Sequence, residues 1–117
     1  MNIAPVKPVI SPELLQQVDI RVGTIEEVLD VPGADLLVQL RVNFGDHHRT
    51  VLAGLKQERR DPQEIRGKQA LFVVNLQPRK IRGVTSEGML FDIGYADGVR
   101  PVLAIPEEPV PNGTRAG

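Results

Sequence analysis

The sequence predicts a mainly β fold, a small barrel of five short strands with short helices between them. Three observations carry that expectation. Apolar residues make up 41% of the 117, yet there are only three Phe, one Tyr and no Trp. The core must therefore rest on Val, Leu and Ile, which favour strands. Leu36, Val38, Leu40, Val42 and Phe44 fall on one face and Gln39, Arg41 and Asn43 on the other, the period of a strand with one buried face. Glycine and proline turn signals cut the rest of the chain into short runs. A chain of 117 residues is expected to form one domain, spanning residues 1–117, and can bury a modest core.

In chain order, residues 1–10 carry Pro5 and Pro8 among small apolar residues and read as an extended arm. Ser11-Pro12-Glu13 signals a helix start, with Ser as N-cap and Pro in the first turn. Leu14, Leu15 and Val18 give that helix one apolar face, so it is expected to run to about Val18. Val18, Ile20 and Val22 then alternate with Asp19, Arg21 and Gly23, a strand in which Gly23 suggests a bend or bulge. Pro32-Gly33 marks a turn before the strand from Leu36 to Phe44. Gly45-Asp46 turns the chain, and Thr50 to Leu55 returns as its partner. Asp61-Pro62-Gln63-Glu64 has the order of a capping box, and Gly67 would end the short helix it opens. Ala70 to Leu76 is the most apolar strand and is placed centrally; Gly88 to Ile93 is the fifth strand. Val102 to Ile105 adds one more short strand, and a turn-rich tail closes the domain. Five strands with a helix between the third and fourth is the order of an OB-fold barrel.

Composition narrows function. Without cysteine there is neither disulfide nor thiolate metal site, which suits a reducing cytosol and gives a cytoplasmic expectation. No N-terminal segment has the pattern of a signal peptide. The longest unbroken apolar run, Ala70 to Val74, is far too short to span a membrane. No P-loop, GxGxxG, nucleophile elbow or HExxH occurs, so no catalytic residue and no cofactor is expected. His47 and His48 are adjacent, point to opposite faces of a strand and make a poor metal pair. The formal net charge is -1, less basic than most nucleic-acid binders, but exposed charges beyond ~8–10 Å hardly feel one another and local placement matters more.

That placement singles out Asn75 to Phe91, NLQPRKIRGVTSEGMLF. Arg79, Lys80 and Arg82 stand between Pro78 and Gly83, and the segment is pinned at both ends by apolar strands. Such a segment presents charge to a polyanion without the entropy of a free tail. A solvated loop explains three charges equally well. Ser86 and Glu87 can accept or donate at a base edge, Gly88 can admit close approach, and Met89 can pack on an unstacked base. Equally, Ser86-Glu87 can be a strand-entry turn and Met89 a core residue. With four aromatics in the chain, stacking of single strands is a weak mode, and shape or backbone recognition of structured RNA fits better.

VDIRVGTI, ALFVVNLQPRKIRGVTSEGML and PVPNGT resemble the tRNA-binding domain family over about Leu15 to Thr114. The family includes free-standing proteins, C-terminal parts of some methionyl-tRNA synthetases and synthetase cofactors. The resemblance implies an OB barrel with a C-terminal extension. It implies a non-catalytic homodimer that binds tRNA by shape and works alone or beside an aminoacyl-tRNA synthetase. Carried residue by residue, it implies RNA contact at Asn75, Arg79, Lys80, Arg82, Ser86, Glu87, Gly88 and Met89. It also turns Met89 toward a semi-exposed role. Lys56, Arg59 and Arg60 extend the basic surface if charge alone decides. VPNGT is shared with the CsaA-type export chaperones, which gives unfolded polypeptide as the alternative ligand; the SEGM form ranks tRNA first.

Overall fold

One strand, β1 (Ile20–Asp30), runs for 11 residues and carries most of the others. The computed structural model in which it is seen describes residues 2–117. β2 (Val38–Asn43) and β3 (His48–Ala53) continue from β1 as an antiparallel meander. β4 (Gln69–Val73) lies against the other edge of β1. β5 (Arg79–Ile81) and β6 (Val84–Ser86) form a hairpin of their own. β7 (Met89–Leu90) pairs with β4, while β8 (Asp92–Ile93) pairs with β9 (Val102–Leu103). β10 (Arg115–Ala116) returns to β1. The main sheet therefore has the order β3-β2-β1-β4-β7. It curls until its two edges meet, giving a mainly β, OB-like barrel as expected.

The core is aliphatic. Val38, Leu40 and Val42 of β2 are buried, as the alternation requires, and Leu36 at its start is exposed. Phe44 and Phe72 are also buried and meet edge to face, 5.5 Å apart at 81°. The two short α-helices, α1 (Pro12–Leu15) and α2 (Leu55–Glu58), lie outside this core except for Leu55. Ser11 caps α1, its Oγ accepting from the Leu14 amide at 3.1 Å. Asp61 caps a 3₁₀ turn at Pro62–Ile65, and Gly67, at φ 86, ends it in the left-handed conformation glycine favours.

Several boundaries differ from the sequence expectation, each for a local reason. α1 ends at Leu15 because Gln17 and Val18 bond back by only three residues, as the chain tightens toward β1. β3 stops at Ala53, and Leu55 opens α2 instead of extending the strand. The capping box at Asp61 is only half made: Glu64 reaches Arg59 instead of the Asp61 amide. The fifth strand splits at Phe91, where the chain leaves β4 for β9: the Phe91 amide bonds to Leu71 and its carbonyl to Ala104. The segment between the fourth and fifth strands is itself a hairpin.

Gly23 is not the bulge. The register of β1 against β2 shifts between Ile25 and Glu27, so Glu26 is the extra residue. Its carboxylate faces outward, accepting from Asn43 Nδ2 at 3.1 Å and lying 2.8 Å from His48 Nε2. Gly23 serves packing. A Cβ there would lie 2.5 Å from Cγ1 of Val42 and 2.9 Å from Cε1 of Phe44. Gly23→Ala is therefore expected to lower unfolding stability by roughly 1–3 kcal/mol through overpacking, read by urea denaturation.

Candidate nucleic-acid interface

The β5–β6 hairpin pairs Arg79 with Ser86, Lys80 with Thr85 and Ile81 with Val84. Arg82 and Gly83 form its two-residue turn at φ 53 and φ 80. Positive φ at both turn residues matches the right-handed twist of the strands. Glycine takes that conformation freely; for Arg82, the only described non-glycine residue with positive φ, it costs about 1–2 kcal/mol. Directly paired residues share a face. Arg79, Ile81, Val84 and Ser86 thus lie on one side, Lys80 and Thr85 on the other, and Arg82 at the tip. The Arg82 guanidinium lies over the Pro32-Gly33 turn, 3.3 Å from where a Gly33 Cβ would stand. All three basic residues are exposed. Among the described residues none has an acid within ion-pair distance, whereas Arg21, Lys56 and Arg59 are paired with Asp19, Asp30 and Glu64.

The SEGM stretch closes the barrel. β3, at one edge of the sheet, presents the amides of Thr50 and Leu52 toward the other edge. Glu87 Oε1 accepts from the Thr50 amide at 3.3 Å, and Ser86 Oγ accepts from the Leu52 amide at 3.0 Å. The Glu87 amide donates to the Thr50 carbonyl at 2.8 Å. Two side chains thus replace the carbonyls of a missing ladder strand. Ser86 is the one buried polar residue among those described and also donates to the Gly88 carbonyl at 3.2 Å. Gly88 lies where the chain crosses β4; a Cβ would stand 3.0 Å from the Val73 carbonyl oxygen. Met89, 43% exposed, pairs with Val73 on that edge and is not core.

Asn75 is also a fastener. Its Oδ1 accepts from the Asp19 amide at 2.9 Å and its Nδ2 donates to the Gln17 carbonyl at 2.6 Å, tying the end of β4 to the chain ahead of β1. Beside it the Arg21 guanidinium donates to both Asp19 oxygens and holds that carboxyl below its ordinary pKa. The eight residues named from sequence are therefore brought to one region. Arg79, Lys80, Arg82 and Met89 are exposed, while Asn75, Ser86, Glu87 and Gly88 carry the joints, with Ser86 alone of these buried.

Charge alone misplaced the second basic group. Lys56 Nζ lies 2.9 Å from Asp30 and Arg59 Nη1 2.5 Å from Glu64, so only Arg60 of that trio stays without an ion pair among the described residues. Arg49 went unnoticed. It shares the face of buried Val51 on β3, and an arginine at an inward strand position was the available signal.

Comparison with known proteins fits this arrangement. Residues 20–115 match the family model described as "Putative tRNA binding domain". The chain is 40% identical over 110 residues to a methionine–tRNA ligase of Parabacteroides distasonis, covering 94% of this chain and 16% of that protein. It is 42% identical over 99 residues to the methionine–tRNA ligase of Thermococcus kodakarensis, covering 85% and 13%. The chain thus spans about one sixth or less of these curated relatives. A methionyl-tRNA synthetase-related protein from Pyrococcus horikoshii superposes with a TM-score of 0.86 at 31% identity, over 95% of this chain and all of that one. The chaperone CsaA of Bacillus anthracis superposes with 0.80 at 25% identity, over 94% of this chain and all of that one.

Ser86→Ala would leave the Leu52 amide without its acceptor at the seam. It is expected to lower stability by about 1–3 kcal/mol, measured by thermal unfolding, while Thr85→Ala on the solvent side of the hairpin leaves stability nearly unchanged. Family model, relatives and geometry agree, and the chain belongs to the tRNA-binding domain family.

Proposed function

We propose that this chain is a non-catalytic tRNA-binding module, acting as one unit over residues 1–117, that recognises structured tRNA by shape and backbone contacts. One observation carries this most directly: three exposed, unpaired cations stand on a hairpin fastened outside the barrel of a tRNA-binding domain. In this proposal Arg79, Lys80 and Arg82 meet phosphates and Met89 packs against sugar or base. Asn75, Ser86, Glu87 and Gly88 contribute by holding that surface in place. Stacking has little support, since Phe44 and Phe72 are buried. The curated relatives act on methionine and tRNA as ligases; here the matched segment would supply RNA binding in the cytoplasm, alone or beside a synthetase.

Three phosphates neutralised by three cations contribute roughly two to three units of salt dependence. Combined Arg79→Gln, Lys80→Gln and Arg82→Gly replacement keeps the turn and should reduce the slope of log affinity against log salt for bulk tRNA by that amount. An unchanged slope with a folded protein would move the contact elsewhere.

The same barrel in CsaA favours a second possibility, binding of unfolded polypeptide through apolar surface. Parallel titration with tRNA and with an unfolded presecretory protein separates the two.

We also propose a symmetric homodimer. Ile3, Val6 and Val9 are 91%, 98% and 99% exposed, so none of the described residues covers them. Leu14, Leu15, Val102 and Ile105 are exposed as well. An isologous partner would bury it and set two basic hairpins on one wider face. Light scattering at micromolar concentration is expected to give a dimer binding one tRNA; a monomer with full tRNA affinity would refute it.

A further inference from the structure

The basic hairpin leaves the barrel after Val74 and returns at Glu87, and one side chain reaches both points. Arg49 Nη1 donates to the Val74 carbonyl at 2.6 Å and to the Glu87 carbonyl at 3.1 Å. Its Nε donates to His47 Nε2 at 3.0 Å. His47 is held in turn, with Nδ1 2.6 Å from Asp46 Oδ1 and its ring stacked on Phe44 at 5.6 Å between centroids. Nε2 thus serves as the acceptor for Arg49, while Nδ1 faces the Asp46 carboxylate.

We propose that Arg49 is the positioning residue of the basic hairpin, aimed by His47. The proposal rests on the hairpin being the RNA-contacting element. Two three-residue strands are not stable alone, and the hairpin is no part of the main sheet, so its angle is set at its base. Ser86 and Glu87 tie the returning strand to β3. Asn75 ties the outgoing one to the segment before β1. Arg49 is the side chain that ties outgoing and returning strands to each other, and a planar guanidinium can hold two carbonyls in fixed relation. Arg49 is thereby turned away from the polyanion. Its loss should lower affinity while leaving the number of phosphate contacts, and so the salt slope, as it was.

The test compares the full chain with Arg49→Met, Arg49→Lys and His47→Gln, using amide hydrogen-exchange protection and bulk tRNA binding. Arg49→Met is expected to reduce protection of the hairpin and of the Glu87 amide about tenfold, with β1 and β2 unchanged. tRNA affinity should fall by about tenfold at constant salt slope, with partial recovery in Arg49→Lys. His47→Gln, which removes the ring that receives Arg49 Nε, is expected to loosen the hairpin in the same direction and by less than Arg49→Met, because both carbonyl bonds of Arg49 remain. Full hairpin protection in Arg49→Met, or equal loosening of β1 and β2, would overturn the proposal. So would a loosened hairpin with wild-type affinity. If the wild-type chain binds no tRNA, the proposed function fails, and the exchange data alone decide whether Arg49 sets the hairpin.

Discussion

The barrel depends on a seam in which side chains replace backbone. A curled sheet of this order leaves two edges, β3 and β7, and exposed edges invite pairing with other chains. Here Thr50 and Leu52 find acceptors on Glu87 and Ser86, and the Glu87 amide completes the join. A side-chain acceptor can follow a curve that two straight strands cannot share. The bend in β1 at Glu26 supplies the other half of the closure, letting one strand serve β4 early and β2 late. The tail does the same at the far side: Asn112 accepts from Thr24 and Gln69, and the Gly113 amide bonds to Val22, drawing β10 onto β1.

Much of this was legible in the sequence where one force acts alone. The alternation from Val38 to Phe44 reports burial of one face, and burial decides strands. Ser11 and Asp61 report caps, since each needs only its own neighbours. What stayed hidden needs two distant segments at once. Gly23 looked like a bulge because glycine in a strand has two meanings, and only the position of Val42 and Phe44 beneath it tells them apart. α2 spans Leu55–Glu58, too short to leave a periodic trace. The hairpin inside the central segment was obscured because its turn is Arg82-Gly83, with an arginine where asparagine or glycine would announce the type.

The candidate site shows the same limit. Residue types gathered from the central segment do lie together, but sequence could not say which face outward. Ser86 and Glu87 look like base readers, and their polar atoms meet Leu52 and Thr50 instead. Electrostatics follows a similar division. The chain is nearly neutral, yet its cations are not equivalent. Those at α2, Lys56 and Arg59, sit against acids, and among the described residues those on the hairpin do not. Net charge averages over this and hides it.

The splay of the hairpin cations bears on which anions the proposed surface would pass over. Arg79 lies on the face shared with Ser86, Lys80 on the opposite one, and Arg82 over the Gly33 turn. Three positive groups aimed in three directions cannot converge on one phosphate as a P-loop or a helix end does. A mononucleotide could satisfy one of them and would leave the others in water. Cells hold small phosphates at high concentration, and a converging site would be filled by them. If the hairpin is the RNA-contacting element proposed above, its divergent cations would reward only a ligand broad enough to wrap it, and bulk itself would act as the selectivity filter.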